Sequence, residues 1–255
     1  MDQVFQIDGF LWLLLMLGPF LILQRQIHFE IQAFFLLLTR RPDVSMVLFS
    51  LLFFPGIAIH ELSHFLVARL LGVRTGSFSL VPRNLGDGRL QLGYVVTASS
   101  DVLRDSLIGA APLLFGGLAV AYIARARLGF DNLVLAISSP GFLNLTPALD
   151  AVFHAEDFWL WFYLLFAINS TMLPSASDRR AWVPLAGIFL VLLSLAFLLG
   201  VGPWLLRNLE PALNSALRAL AVVFGMSALT HLVLLLPIWV FRRILNRLTG
   251  LKVGR

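Results

Sequence analysis

His60-Glu61-Leu62-Ser63-His64 sets two imidazoles and a carboxylate at a spacing suited to metal-assisted hydrolysis. Residues four apart on a helix share a face, so both rings can grip one zinc ion. The glutamate falls beside the metal, where it can take a proton from a water that the metal activates. With five His and four Glu in 255 residues, accidental matches to this pattern are expected on the order of 10⁻³ times per chain. The setting is unusual, because Glu61 is the one charged residue between Val44 and Ala68. An ionisable cluster in so apolar a stretch is costly unless it has a partner or a function.

Two histidines leave such a site incomplete, since catalytic zinc normally takes three protein ligands and keeps one position open. Cys is absent, which excludes thiolate ligands and disulfides. No histidine extends the motif, because Val67 and Leu70 occupy the positions that HExxHxxGxxH would need, and the next glutamate is Glu156. Asp178 is the best third ligand. It closes the polar, proline-broken stretch Asn169-Ser170-Thr171-Met172-Leu173-Pro174-Ser175-Ala176-Ser177-Asp178. Pro174 ends or kinks a helix and frees carbonyls, which a membrane tolerates where they line protein or a wet cavity. The Asn169 amide is placed to bond a ligand or an extended substrate backbone. The competing reading makes Asp178 an interfacial partner of Arg179 or Arg180.

The elements that must position these residues are membrane helices. The chain is 59% hydrophobic and 13% charged, with mean hydropathy +0.88, whereas a soluble domain has about 25% charged residues. The start, with Asp2 and Asp8, lacks a cleavable signal pattern, so the first apolar segment is expected to be retained. The net charge of +5 comes from arginines at the ends of apolar runs, which reads as membrane topology and not as nucleic-acid binding.

The fold class expected is an all-α polytopic membrane protein with about six transmembrane helices: Ile7–Leu23, Val44–Leu71, Ser106–Ala124, Phe158–Leu173, Val183–Leu206 and Leu217–Phe241. Ile27–Leu38, carrying His28, Glu30 and Gln32, is too short to span and reads as an interfacial helix. Leu133–Leu149, broken by Ser138-Ser139-Pro140-Gly141 and Pro147, reads as re-entrant or interfacial. The chain divides into 1–43 (first helix and interfacial helix), 44–180 (catalytic membrane core) and 181–255 (two helices and a basic tail). Between Val73 and Ser100 the pattern alternates around the turn cluster Pro82–Gly88, which predicts a membrane-associated β-hairpin after the second helix. Its edge, Phe78–Val81 or Leu90–Val96, can take an extended peptide by strand addition, with Phe78, Leu80, Leu90 and Leu92 as contact residues; a simple surface loop is the other reading.

Placing the exit of the second span in the cytoplasm puts Arg69, Arg74, Arg83, Arg89, Arg104, Arg179, Arg180, Arg242, Arg243, Arg247, Lys252 and Arg255 inside. Arg25, Arg40, Arg41, Arg125, Arg127, Arg207 and Arg218 fall outside, and both termini are then cytoplasmic. Trp159, Trp161, Trp182 and Trp204 near span ends suit an aromatic belt. His231, inside the last span, reads as bundle packing or as lining a cavity. His154-Ala155-Glu156-Asp157 reads as a solvated turn or cap.

The HExxH in a membrane helix, the Gly-rich hairpin, Gly109-Ala110-Ala111-Pro112, and Asn169, Pro174 and Asp178 in a later helix together resemble the site-2 protease family of intramembrane zinc metallopeptidases. The resemblance covers Val44–Asp178 and rests on the two motifs. It implies one zinc held by His60, His64 and Asp178, Glu61 as general base, Asn169 positioning substrate, and the hairpin presenting substrate as a strand. The implied partners are a membrane-protein substrate and the lipid bilayer, with no nucleic acid, and the implied location is the cell membrane of a prokaryote. The family's second motif commonly reads Asn-x-x-Pro with Asp-Gly; here Pro174 lies five residues after Asn169, and Arg179 follows Asp178. No regulatory domain of the PDZ or CBS type is expected. The rival readings are a zinc transporter, which needs facing ligands on a second helix, and a catalytically inactive interaction protein. Membrane-anchored zinc endopeptidases of the heat-shock and prenyl-protein type also share HExxH, but they need a downstream Glu ligand.

Overall fold

The protein, described here by a computed structural model over residues 8–84, 90–138 and 145–251, is a helical bundle with one small β-ribbon. The hairpin tip at 85–89, the Ser139-Pro140-Gly141 break and the tail residues Lys252 and Arg255 lie outside the described residues. Leu90 is described by its backbone alone.

Helix α1 (Asp8–Thr39) is followed by α2 (Pro42–Leu52) and α3 (Phe54–Leu70). Next come β1 (Thr75–Ser79), β2 (Arg83–Asn84), β3 (Leu90–Gln91) and β4 (Tyr94–Thr97). The rest is α4 (Val102–Tyr122), which runs on into a π-helical turn at Ile123–Arg127, then α5 (Phe130–Ser138), α6 (Leu145–Phe153), α7 (Phe158–Thr171), α8 (Trp182–Leu198) and α9 (Gly202–Thr249).

Among the described residues, three helices are long and apolar enough to cross a membrane: α1, α4 with its π turn, and α9. Two bent pairs, α2–α3 at 72° and α6–α7 at 92°, raise this to as many as five. The span expected at Val183–Leu206 is divided at 199–201, leaving α8 with 17 residues and the remainder in α9. The α2–α3 bend falls at Phe53, just before Pro55, which occupies the first turn of α3, where a missing N–H costs nothing.

Two expectations are corrected by α1. First, it is one continuous helix, so Ile27–Leu38 is not a separate interfacial element. Glu30, 2% exposed, takes both Arg242 Nε and Nη2 from α9 inside the bundle, and the Gln32 main-chain carbonyl accepts from Ser45 Oγ of α2. Second, α1 and α9 run parallel. Asp8 meets Asn214 and Arg218 at one end, and Glu30 meets Arg242 farther on. Arg40 and Arg41 therefore lie toward the Arg242 and Arg243 end. Two helices that each cross once in the same direction do not fit an assignment with both termini cytoplasmic.

The core lies where α1, α4, α7 and α9 meet, around Phe20, Val120, Leu165, Met172 and Phe224. A second cluster, Ile27, Phe49, Phe53, Ile57 and Phe166, joins α1 and α7 to the α2–α3 bend. His231 is wholly buried in the bundle, with Nδ1 on the Ser227 carbonyl and Nε2 on Ser170 Oγ of α7. The strands expected between Val73 and Ser100 are present. β1 pairs antiparallel with β4 (Thr75 with Thr97, Phe78 with Val95, Ser79 with Tyr94) with an irregularity after Thr75, and β2 pairs with β3.

Candidate metal centre

His60 and His64 stand one turn apart on α3, which packs between α4 and α7. The orientation of each ring is set by a main-chain carbonyl. His60 Nδ1 lies 2.7 Å from Thr171 O, and His64 Nδ1 lies 2.8 Å from Ile108 O. A carbonyl only accepts, so each Nδ1 carries the proton and donates it. That leaves both Nε2 lone pairs pointing inward.

Both acceptors are available because helices are interrupted. Ile108 O would take its helical bond from residue 112, but Pro112 has no N–H to give. Thr171 is the last residue of α7, and the N–H that would have reached it, on Ser175, goes instead to Asp178 Oδ2 at 2.7 Å. Pro174 likewise leaves Ser170 O without its helical donor, and Gln24 Nε2 of α1 fills the gap at 2.6 Å. The proline-broken segment thus supplies a ring acceptor and the turn that holds Asp178.

The three donors converge. His60 Nε2 and His64 Nε2 are 3.3 Å apart, and they lie 3.7 Å and 3.5 Å from Asp178 Oδ2 and Oδ1. Donors about 2.1 Å from one tetrahedral ion stand about 3.4 Å apart, so the set fits zinc. Two lone pairs and a carboxylate facing one another also have no mutual attraction without a cation or proton between them. Burial works against a charge on Asp178, but hydrogen bonds from the imidazoles when a proton occupies Nε2, and from the Ser175 N–H, outweigh it and hold the carboxyl well below the usual carboxylate range; a cation between the donors would take the place of those protons. The competing ion pairs are absent from the described contacts of Asp178: Arg180 reaches Asp105 at 3.5 Å, and Arg179 Nε donates to Ser175 O.

Glycines make this approach possible. A Cβ on Gly109 would lie 2.0 Å from Asp178 O, one on Gly116 would lie 2.5 Å from Met172 Cβ, and one on Gly56 would lie 2.2 Å from Ala167 O. The first two let the 172–178 segment lie against α4, and the third presses α3 onto α7. In the sequence Gly109-Ala110-Ala111-Pro112 figures only in the family resemblance. That Pro112 frees the carbonyl bonded to His64 was legible, because a proline inside a helix orphans the carbonyl four residues before it. That Gly109 lies against Asp178 was not, because the contact joins two separate segments.

The centre opens on a cavity of about 610 Å³, which His60, Glu61, His64 and Asp178 line together with 92–97 of the ribbon. Asp105, Ser175, Ser177 and Arg180 give it a polar flank. Gly93 crosses directly over the carboxylate: a Cβ there would sit 2.9 Å from Glu61 Cγ and 3.1 Å from Oε1. Of the hairpin residues expected to contact substrate, Leu92 lines this cavity. Phe78 is 40% exposed beside Phe65, and Leu80 packs against the Ile27–Phe53 cluster. Asn169 is fully buried, is not among the lining residues, and neither amide atom has a hydrogen-bond partner. His154 bonds to Asp150 in an exposed pair, in keeping with a solvated turn. No protein-family model, curated protein or solved structure matches the chain.

Proposed function

We propose that this protein is an intramembrane zinc metalloprotease of the site-2 protease type, hydrolysing peptide bonds of membrane-spanning or membrane-associated proteins. One observation carries the reading: two imidazoles, each turned by a main-chain carbonyl, and the Asp178 carboxyl group bring three donor atoms together beside Glu61. Zinc, when held by His60 Nε2, His64 Nε2 and Asp178, supplies Lewis acidity that lowers the pKa of a water and polarises the scissile carbonyl. Glu61 takes the proton from the attacking water and returns it to the leaving amine. Its 8% exposure keeps bulk water from competing for that proton.

A transmembrane helix hides its carbonyls in hydrogen bonds, so a substrate must unwind before it can be cut. β4 pairs with β1, and its residues 94–97 line the cavity. Strand addition there replaces the helical bonds that the substrate gives up. The same reading places the protein in the cell membrane of a prokaryote. The side bearing Arg40, Arg41, Arg242, Arg243 and Arg247 is then cytoplasmic by arginine bias. Single cysteines introduced at Asp8 and Leu251 of this cysteine-free chain test that orientation, and thiol labelling of both from one side would overturn it.

The enzymatic reading is tested with purified protein. One zinc per chain, cleavage of a membrane-spanning peptide, and loss of cleavage with retention of metal in Glu61→Gln are expected, the loss being about 10²-fold or more. Cleavage by Glu61→Gln at the parental rate would overturn it.

A further inference from the structure

Among the described residues that line the cavity of the metal centre, Arg180 is the one arginine or lysine, and its side chain is 63% exposed. The carboxylates around it are far more covered: Asp105 is 14% exposed, Asp178 is 17% exposed and Glu61 is buried. Arg180 Nη2 lies 3.5 Å from Asp105 Oδ2, and among the described contacts the guanidinium has this one partner. Its place is fixed by the main chain on both sides. Asp178, two residues before it, faces the two imidazoles, and the Ala181 carbonyl after it accepts from Ser106 Oγ of α4 at 3.2 Å. Trp182 Nε1 then donates to the Ser106 carbonyl at 3.3 Å, which pins the segment a second time to the first turns of α4.

The offset from the metal centre follows from α4. Asp105 lies three residues before Ile108, whose carbonyl bonds the His64 ring, so the ion pair stands about 5 Å along the helix axis from that carbonyl. The ribbon covers the same interval. Gly93 lies over Glu61. At the other end of β4, beyond Thr97, the Ala98 N–H bonds the Arg74 carbonyl, and the neighbouring Val73 packs with Ile108. β4 therefore leads from the base toward the first turns of α4. From Gly93 to Thr97 is about 13 Å of strand, so a substrate laid along β4 passes Arg180 about two to four residues from the scissile bond.

We propose that Arg180 is a specificity-determining residue: its guanidinium bonds a carboxylate side chain of the substrate about two to four residues from the scissile bond, on the side that leaves toward α4. This rests on the proteolytic reading for the position but not for its measurement. A guanidinium carries five N–H donors in a planar fork, so the contact with Asp105 leaves donors for a second carboxylate. A basic substrate residue finds no equal partner, because Asp105 is mostly covered and already faces Arg180. Substrates with an acidic residue at that distance are therefore favoured over those with a neutral or basic one.

The test uses zinc-loaded full-length Glu61→Gln protein in nonionic detergent micelles, which holds peptide without cutting it. The ligands are synthetic membrane-spanning peptides with a single Asp, Asn or Lys moved through the central positions. At the best position the Asp peptide is expected to bind about fivefold more tightly than the Asn peptide at low salt, with the Lys peptide weakest. The preference should fade in about 0.5 M salt. Adding Arg180→Gln should abolish it, and Arg180→Lys should keep part of it. Each figure is a ratio between peptides on one protein, so a general weakening of a variant cancels. Equal affinities at every position, or a preference that survives Arg180→Gln, would overturn the proposal. If Arg180→Gln does not fold, Asp105→Asn decides: freeing the guanidinium must enlarge the preference, or the proposal fails. A protein that shows the preference while its parent never cuts the Asp peptide would sink the proteolytic reading and leave this contact standing.

Discussion

Helices α4 and α8 are both apolar and nearly uncharged in their interiors, yet the bundle treats them oppositely. α8 is the more hydrophobic by sequence, and none of its residues is buried; Phe189, Leu190, Val191 and Leu192 all face outward. α4 is punctuated by Gly109, Pro112, Gly116 and Gly117, and all four are buried. The difference follows from the solvent. Lipid tails are as apolar as leucine, so hydrophobicity alone gives a helix no reason to seek the protein interior. Small residues that admit close backbone contact, and polar groups that need partners, do give one. The region of the candidate metal centre is accordingly built from glycines, prolines and interrupted hydrogen bonds, and α8 is built from leucine.

That contrast can be broken experimentally, and the largest effect should come from Gly109→Leu. The side chain would occupy the space of the Asp178 carbonyl, 2.0 Å from the ideal Cβ, so the carboxylate is displaced and bound zinc should fall well below one per chain by elemental analysis. Retention of full zinc would mean that Asp178 is not the third ligand. Next is Pro112→Ala, which restores an N–H able to compete for Ile108 O. Loosening the ring bond of a metal-binding histidine typically costs about 10–100-fold in metal affinity. Competition with a chelator measures this, and an unchanged affinity would remove Pro112 from the account.

Gly93→Ala tests the ribbon over the base. A methyl group 2.9 Å from Glu61 Cγ forces the carboxylate or the ribbon to move, so cleavage of the membrane-spanning peptide should drop severalfold while zinc content holds. The smallest effect belongs to α8. Leu192→Ala, at 57% exposure, should alter stability by no more than about 0.5 kcal/mol and leave zinc and cleavage untouched. A large loss there would show that α8 is covered by a protein surface and not by lipid.

Much of the centre was legible from residue types. His60, Glu61 and His64 declare themselves by spacing on a helix, and Asp178 by its place after a broken span. The ribbon was legible from alternation and turn residues. The parallel course of α1 and α9 was not legible. Arginine counting treats each charge as solvated at a membrane face, whereas Glu30 and Arg242 neutralise each other inside the bundle. The same error made Ile27–Leu38 look interfacial: His28, Glu30 and Gln32 resemble a wet face until their neighbours are known. Asn169 was singled out as a polar residue near the site, but only packing could place it behind the cavity wall instead of on it.

The sequence by itself determined that this is a chain for a membrane, that two histidines at metal-ligating spacing lie in one of its apolar stretches, and that a carboxylate follows beyond a proline. Those are local properties, carried by composition, helical period and the missing N–H of proline. Tertiary structure alone decided that the three donors meet within metal-binding distance, because the meeting depends on two carbonyls from separate helices and on glycines that let backbones touch. It also decided which strand faces the centre and which arginine lines its cavity. Contacts between residues more than a hundred positions apart leave no period in a sequence, and the function proposed here depends on them.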